Sequence, residues 1–141
     1  MRGFIGLTVS DAMTQPVTTL SPEATVADLE DLFERYDYNS FPVVAHDRLV
    51  GIITKFDFLR NFIFTPDTVL PHYKELMRRR ISEIMRRQVA TVDPDMALTR
   101  VLQMMVDMTI KSFPVVSAGK VIGIISREDI IHALRRTVAQ E

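Results

Sequence analysis

The sequence contains no cysteine, which excludes a disulfide framework, thiolate metal sites and a cysteine nucleophile and fits a reducing compartment. It also has no apolar run of the length that crosses a bilayer. The stretch Met1 to Leu7 meets polar Thr8, Ser10 and Asp11 before the apolar core of a signal peptide can form. Cytoplasm is therefore the expected compartment, with no membrane partner. Net charge is small as well: a formal −1 supplies no field to hold a polyanion, so nucleic acid is not the expected partner. His46, His72 and His132 are scattered, without metal-ligand spacing or a nucleophile beside them, so neither a metal site nor an enzyme is expected.

What is present is a globular composition. With 141 residues, 47% hydrophobic and 25% charged, the chain is long enough to bury a core without staples, and a single module over residues 1–141 is expected. Lys74, Arg78, Arg79, Arg80, Arg86 and Arg87 form a local basic stretch. It would serve a phosphate-bearing partner or form a solvated helix surface, and the second reading is preferred because three consecutive arginines fan around a helix.

The chain repeats itself. Ser40-Phe41-Pro42-Val43-Val44 returns as Ser112-Phe113-Pro114-Val115-Val116, and Gly51-Ile52-Ile53-Thr54 as Gly123-Ile124-Ile125-Ser126, all at the offset of 72 that separates Phe41 from Phe113. The same offset pairs Ser10 with Ser82, Met13 with Met85, Thr19 with Thr91, Pro22 with Pro94 and Asp57 with Asp129. One ungapped register from Val9/Ile81 to Arg60/His132 marks an internal duplication.

Each copy predicts the same elements. A β-prone segment, Val17 to Leu20 or Val89 to Val92, runs into Ser21-Pro22 or Asp93-Pro94, where proline suits a turn or a helix start. A helix follows, with Val26, Leu29, Phe33 and Tyr36, or Leu98, Val101, Met105 and Met108, on its buried face. Two apolar runs, Phe41 to Ala45 with Leu49 to Thr54, and Phe113 to Ser117 with Val121 to Ser126, predict paired strands joined by a tight turn. Their lack of polar alternation predicts a sheet largely covered on both faces. A short last helix begins near Thr54 or Ser126. The class is α/β, strand-helix-strand-strand-helix twice, with repeats at 9–62 and 81–134. Between them, 63–80 is too apolar for a tether and should pack as a linker, with Pro66 and Pro71 leaving a short helix from about Pro71 to Arg80.

The unit Phe-Pro-Val-Val followed by Gly-Ile-Ile-[Thr/Ser]-x-x-Asp resembles the cystathionine β-synthase (CBS) family, over about Val9 to Phe62 and Ile81 to Leu134. The resemblance implies two repeats about a pseudo-twofold axis, a Bateman module, with two clefts that take AMP, ADP, ATP or a related adenosyl ligand. It implies a stand-alone regulatory module without a catalytic cofactor, and a homodimer; the regulated protein is unknown. On the family's pattern Asp57 and Asp129 are ribose-binding, with Thr54 and Ser126 as the accompanying hydroxyls. Lys55, Arg127 and Lys111 match phosphate-contacting positions, with Asn39 standing where Lys111 stands in the other copy. Val17, Thr19, Val89 and Thr91 match the strand along the adenine, and Pro42 and Pro114 lie at the start of a strand beside it.

Elementary chemistry gives each assignment a rival. A helix start offers free N–H groups to an anion, and a carboxylate one turn in can accept two ribose hydroxyls. The same Thr/Ser-x-x-Asp spacing is also a capping box, and the two roles can coexist. Packing alone explains Val17, Thr19, Val89 and Thr91, and strand geometry alone explains the prolines. The functional alternative to ligand sensing is a ligand-free dimerisation module. Met104, Met105 and Met108 are its candidate contact, although core packing is the preferred role for those methionines.

Overall fold

The computed structural model describes residues 2–63 and 73–140. Pro66, Pro71 and His72 lie outside them. The order is α1 (Arg2–Ile5), α2 (Val9–Ala12), α3 (Val26–Arg35), β1 (Ser40–Ala45), β2 (Arg48–Thr54), α4 (Lys55–Arg60), α5 (Tyr73–Met77), α6 (Ile81–Ile84), α7 (Leu98–Met108), β3 (Ser112–Ser117), β4 (Lys120–Ser126) and α8 (Arg127–Gln140). The chain is α/β and built twice on one plan. It divides into two compact units: a continuous one, Thr18–Val89, and a split one, Met1–Val17 with Ala90–Glu141.

In each unit an antiparallel hairpin carries the core. His46 and Asp47 turn β1 into β2 with φ of 51° and 63°, and Ala118 and Gly119 turn β3 into β4 with φ of 52° and 79°, the positive pair that a type I′ turn demands. A bulge falls at Val43/Val44 and again at Val115/Val116. Phe41, Val43 and Ile53 are fully buried with Leu29 of α3, and Phe113, Val115 and Ile125 with Val101 of α7. The expected buried faces of the two helices are thus present, except that Met108 is 47% exposed. Thr109, in a left-handed conformation, ends the helix immediately after it, so the chain leaves before that last turn can pack.

The expected first strands shrink to single bridges, Leu20 with Val43 and Val92 with Val115. The reason is covalent. Leu20 N donates to Pro42 O and Val44 N to Leu20 O, so the next bond of this parallel ladder would run from residue 42 back to the Thr18 carbonyl, and proline has no N–H to give. Pro114 stops the ladder at Val92 in the same way.

The opposite edge of each hairpin is closed by a segment distant in sequence. Arg86 pairs with Ile52 through two bonds of 2.9 Å, and Thr14 pairs with Ile124 through bonds of 2.8 and 3.1 Å. The stretch that opens the first repeat therefore completes the hairpin of the second, and the stretch that opens the second completes the hairpin of the first. Gly51 and Gly123 make this approach possible. A Cβ at Gly51 would lie 2.8 Å from the Arg86 carbonyl oxygen, and one at Gly123 would lie 3.0 Å from that of Thr14.

Three further expectations are corrected. The helix placed at about Pro71 to Arg80 ends at Met77, because the Arg79 carbonyl is taken by Val26 N and Arg80 bridges to Thr25. Of the six basic residues read as a helix surface, only Lys74 lies on a helix. The last helix of the second copy is not short: α8 has 14 residues against six in α4. Buried Ala133 and Thr137 continue its packing, whereas α4 stops at the αR cap residue Asn61. Within the intervening segment Leu76 is buried, and just before it the Phe62 ring stands edge-on to Phe58 at 5.2 Å.

Candidate functional site

Each hairpin delivers its last residue, Thr54 or Ser126, to the start of a helix. Asp57 N donates to Thr54 Oγ1 at 3.1 Å, while Thr54 N and Oγ1 donate to Asp57 Oδ2 at 3.0 and 2.9 Å. In the other copy Asp129 N donates to Ser126 Oγ at 3.3 Å, and Ser126 N and Oγ donate to Asp129 Oδ2 at 2.9 and 3.0 Å. Both are reciprocal capping boxes, and each orients a carboxylate whose Oδ1 stays outside the box.

The two Oδ1 atoms meet different partners. Asp57 Oδ1 accepts Arg86 Nε at 3.0 Å and has Arg60 Nη2 at 3.7 Å, and its side chain is 0% exposed. Asp129 Oδ1 accepts the Thr14 hydroxyl at 3.0 Å, and the residue is only half-buried. Among the described residues no basic side chain is paired with Asp129. Thr14 and Arg86 were missed as site residues by sequence reasoning, although they occupy equivalent places at the repeat offset, directly after Met13 and Met85. In the sequence Arg86 stands within the basic stretch, beside Arg87.

The phosphate candidates also differ between copies. Arg127 N donates to Lys111 O at 3.0 Å, which sets two basic residues side by side at the start of α8. The equivalent bond joins Lys55 N to Asn39 O at 3.0 Å, giving one basic residue there. Lys55 Nζ lies 3.7 Å from Asp37, and Arg127 Nε 3.3 Å from its neighbour Glu128. Of the adenine candidates, Val17 and Val89 are half-buried and Thr19 and Thr91 exposed, and none bonds to either aspartate among the described residues. The chain crosses from one compact unit to the other inside these segments, at Val17/Thr18 and Val89/Ala90. Pro42 and Pro114 are buried strand residues. No three His, Asp or Glu side chains gather to hold a metal among the described residues. No helix among them is long and apolar enough to cross a membrane.

Comparison with known proteins identifies this architecture. MJ1225 of Methanocaldococcus jannaschii is 30% identical over 129 residues, 87% of this chain and 45% of that protein. Its crystal structure superposes with a TM-score of 0.81 at 27% identity, covering 90% of this chain and 47% of that one. The CBS domain-containing protein YhcV of Bacillus subtilis is 28% identical over 123 residues, 86% of this chain and 81% of its own length. The CBS domain pair of protein MJ0100, solved with 5′-methylthioadenosine and S-adenosyl-L-methionine, superposes with a TM-score of 0.76 at 26% identity, over 93% of this chain and 98% of that one. The chain thus spans less than half of MJ1225 but most of YhcV. The CBS domain family model matches residues 9–63 and again 81–136, the two copies marked out by the repeat, and the chain belongs to the CBS domain family as a tandem pair.

Proposed function

We propose that this chain is a cytoplasmic regulatory module that senses an adenosyl ligand: AMP, ADP, ATP or a relative such as S-adenosylmethionine. It carries out no catalysis. The observation that carries the reading is Asp129, a half-buried carboxylate fixed by Ser126 whose Oδ1, among the described residues, meets only a neutral, rotatable hydroxyl from Thr14. Ribose hydroxyls can replace that hydroxyl bond for bond. Lys111 and Arg127, joined backbone to backbone at the start of the same helix, are the candidates for a phosphate or another anionic group, and Val17 and Thr91 belong to the same compact unit for the base. Asp57, Thr54 and Lys55, with Thr19 and Val89, occupy the equivalent positions of the other copy, where Arg86 lies against the carboxylate. The MJ0100 pair, solved with two adenosyl ligands, supports the ligand class.

The test is mass spectrometry of small molecules released from the purified native protein, followed by calorimetry and thermal melts with AMP, ADP, ATP and S-adenosylmethionine. A ligand that binds only the folded state stabilises it by about 2.7 kcal/mol at a hundredfold excess over Kd. No binding heat and no rise in Tm with any of the four at millimolar concentration would overturn the reading.

A second reading, a ligand-free dimerisation module, is favoured by the exposed apolar side chains Leu102 and Val106 on α7 and Ile131 and Val138 on α8. Homodimerisation is compatible with both readings, and twofold closure is the commonest form of soluble homo-oligomer. Light scattering is expected to give twice the chain mass; a single-chain mass across the micromolar range would rule the dimer out.

A further inference from the structure

We infer that Arg86 closes the Asp57 position to ribose, so that the chain takes one adenosyl ligand, on Asp129, and that the residue after Met13 or Met85 decides which copy binds. This inference rests on the adenosyl reading above. A carboxylate offers about four lone-pair sites, and a ribose diol needs two of them. Both copies give Oδ2 to the capping box, so the diol must be met largely by Oδ1.

At Asp57 that oxygen is engaged. Arg86 Nε lies 3.0 Å from Oδ1 and 3.3 Å from Oδ2, Arg60 adds a second guanidinium at 3.7 Å, and these half-exposed arginines lie against an Asp57 side chain of which no part is exposed. Guanidinium groups only donate, so Arg86 cannot accept a hydrogen bond from an incoming sugar hydroxyl. It can only be pushed away, at the loss of a charge-assisted bond to a buried carboxylate. Its backbone is held as well, by the two bonds to Ile52. At Asp129 the equivalent donor is the Thr14 hydroxyl. A hydroxyl both donates and accepts, so it can rotate off Oδ1 and bond to the sugar that replaces it. The position equivalent to Arg60 is His132, and among the described residues it makes no bond to Asp129.

The inference is tested by calorimetry on the full chain, with AMP or S-adenosylmethionine, whichever gives the larger heat with the wild-type protein. The expected wild-type stoichiometry is one ligand per chain. Asp57→Ala should leave affinity within about twofold, and Asp129→Ala should weaken it about tenfold to a hundredfold, the loss of one hydrogen bond to a charged group. Arg86→Thr, which copies Thr14, should bind two ligands per chain, and adding Asp57→Ala to it should return the count to one. Two ligands on the wild-type chain, a tenfold loss in folded Asp57→Ala, or a folded Arg86→Thr that still binds one would each overturn the inference while leaving the adenosyl reading intact. Should Arg86→Thr fail to fold, the wild-type count and the Asp57→Ala affinity decide. Absence of binding to the wild type and to every variant would defeat the adenosyl reading, and this inference with it.

Discussion

The two compact units reuse the same scaffold but place different side chains around its aspartates. Val26 N donates to Arg79 O and Ile81 N to Ala24 O in the continuous unit, and Val9 N to Met96 O and Leu98 N to Leu7 O in the split one. These are the same bonds carried over by the repeat offset. The hairpin turns, bulges and bridges, and the capping boxes at Thr54 and Ser126, are also duplicated. The difference that bears on the site is the residue at the hairpin edge that faces the aspartate, arginine in one copy and threonine in the other. Backbone order can therefore be preserved through a duplication while one side chain changes what the buried carboxylate is free to do.

The likeness of the two cores predicts the largest effects. Phe41 and Phe113 are both fully buried, and replacing either with alanine should cost about 3–5 kcal/mol in urea unfolding. Effects that differ by more than about 2 kcal/mol would break the equivalence of the cores. Next come the glycines. Gly51→Ala would bring a Cβ to 2.7 Å from Met85 Sδ, and Gly123→Ala to 2.9 Å from Met13 Sδ. Each should cost about 1–3 kcal/mol from overpacking, with Gly51→Ala the costlier.

The aspartate partners should separate the copies. Arg86→Ala leaves a buried charge short of its main partner and should cost about 1–3 kcal/mol, whereas Thr14→Ala removes a neutral donor from a half-buried group and should cost about 1 kcal/mol or less. Equal losses in chemical denaturation would sink the contrast drawn between Asp57 and Asp129. The smallest effect concerns helix starts. Thr25 caps α3, while its counterpart Ala97 gives α7 no side-chain cap. Ala97→Thr should stabilise the protein by about 1 kcal/mol, raising Tm, and no gain would show that the cap has no room to form.

Much of this was legible in the sequence because it is local. The alternation of apolar runs with turn residues located both hairpins, and the spacing of Leu29 and Phe33, or Val101 and Met105, located the long helices. The Thr/Ser-x-x-Asp boxes were visible for the same reason, since their partners lie three residues apart. The hairpin partners of Thr14 and Arg86 were not visible. Either segment has the same chemistry whichever copy it pairs with, and the pairing joins residues as far apart as Thr14 and Ile124. Arg86, read with its basic neighbours, looked like part of a helix surface until its backbone proved to be paired with β2. The missing first strands were implicit in Pro42 and Pro114, but only once the register placed their absent N–H opposite Thr18 and Ala90.

The exchange of opening segments also constrains how this chain can be divided. A fragment ending before Ile81 would leave Ile52 without Arg86, and a fragment starting at Ile81 would leave Ile124 without Thr14. Each would present a bare strand edge, the surface on which chains add to one another indiscriminately. Two copies of one fragment could satisfy each other by trading their first few residues, as the two halves of the intact chain already do. Half a gene would thus encode a subunit that is incomplete by itself, and fusing two such halves in tandem turns an encounter between molecules into an intramolecular certainty.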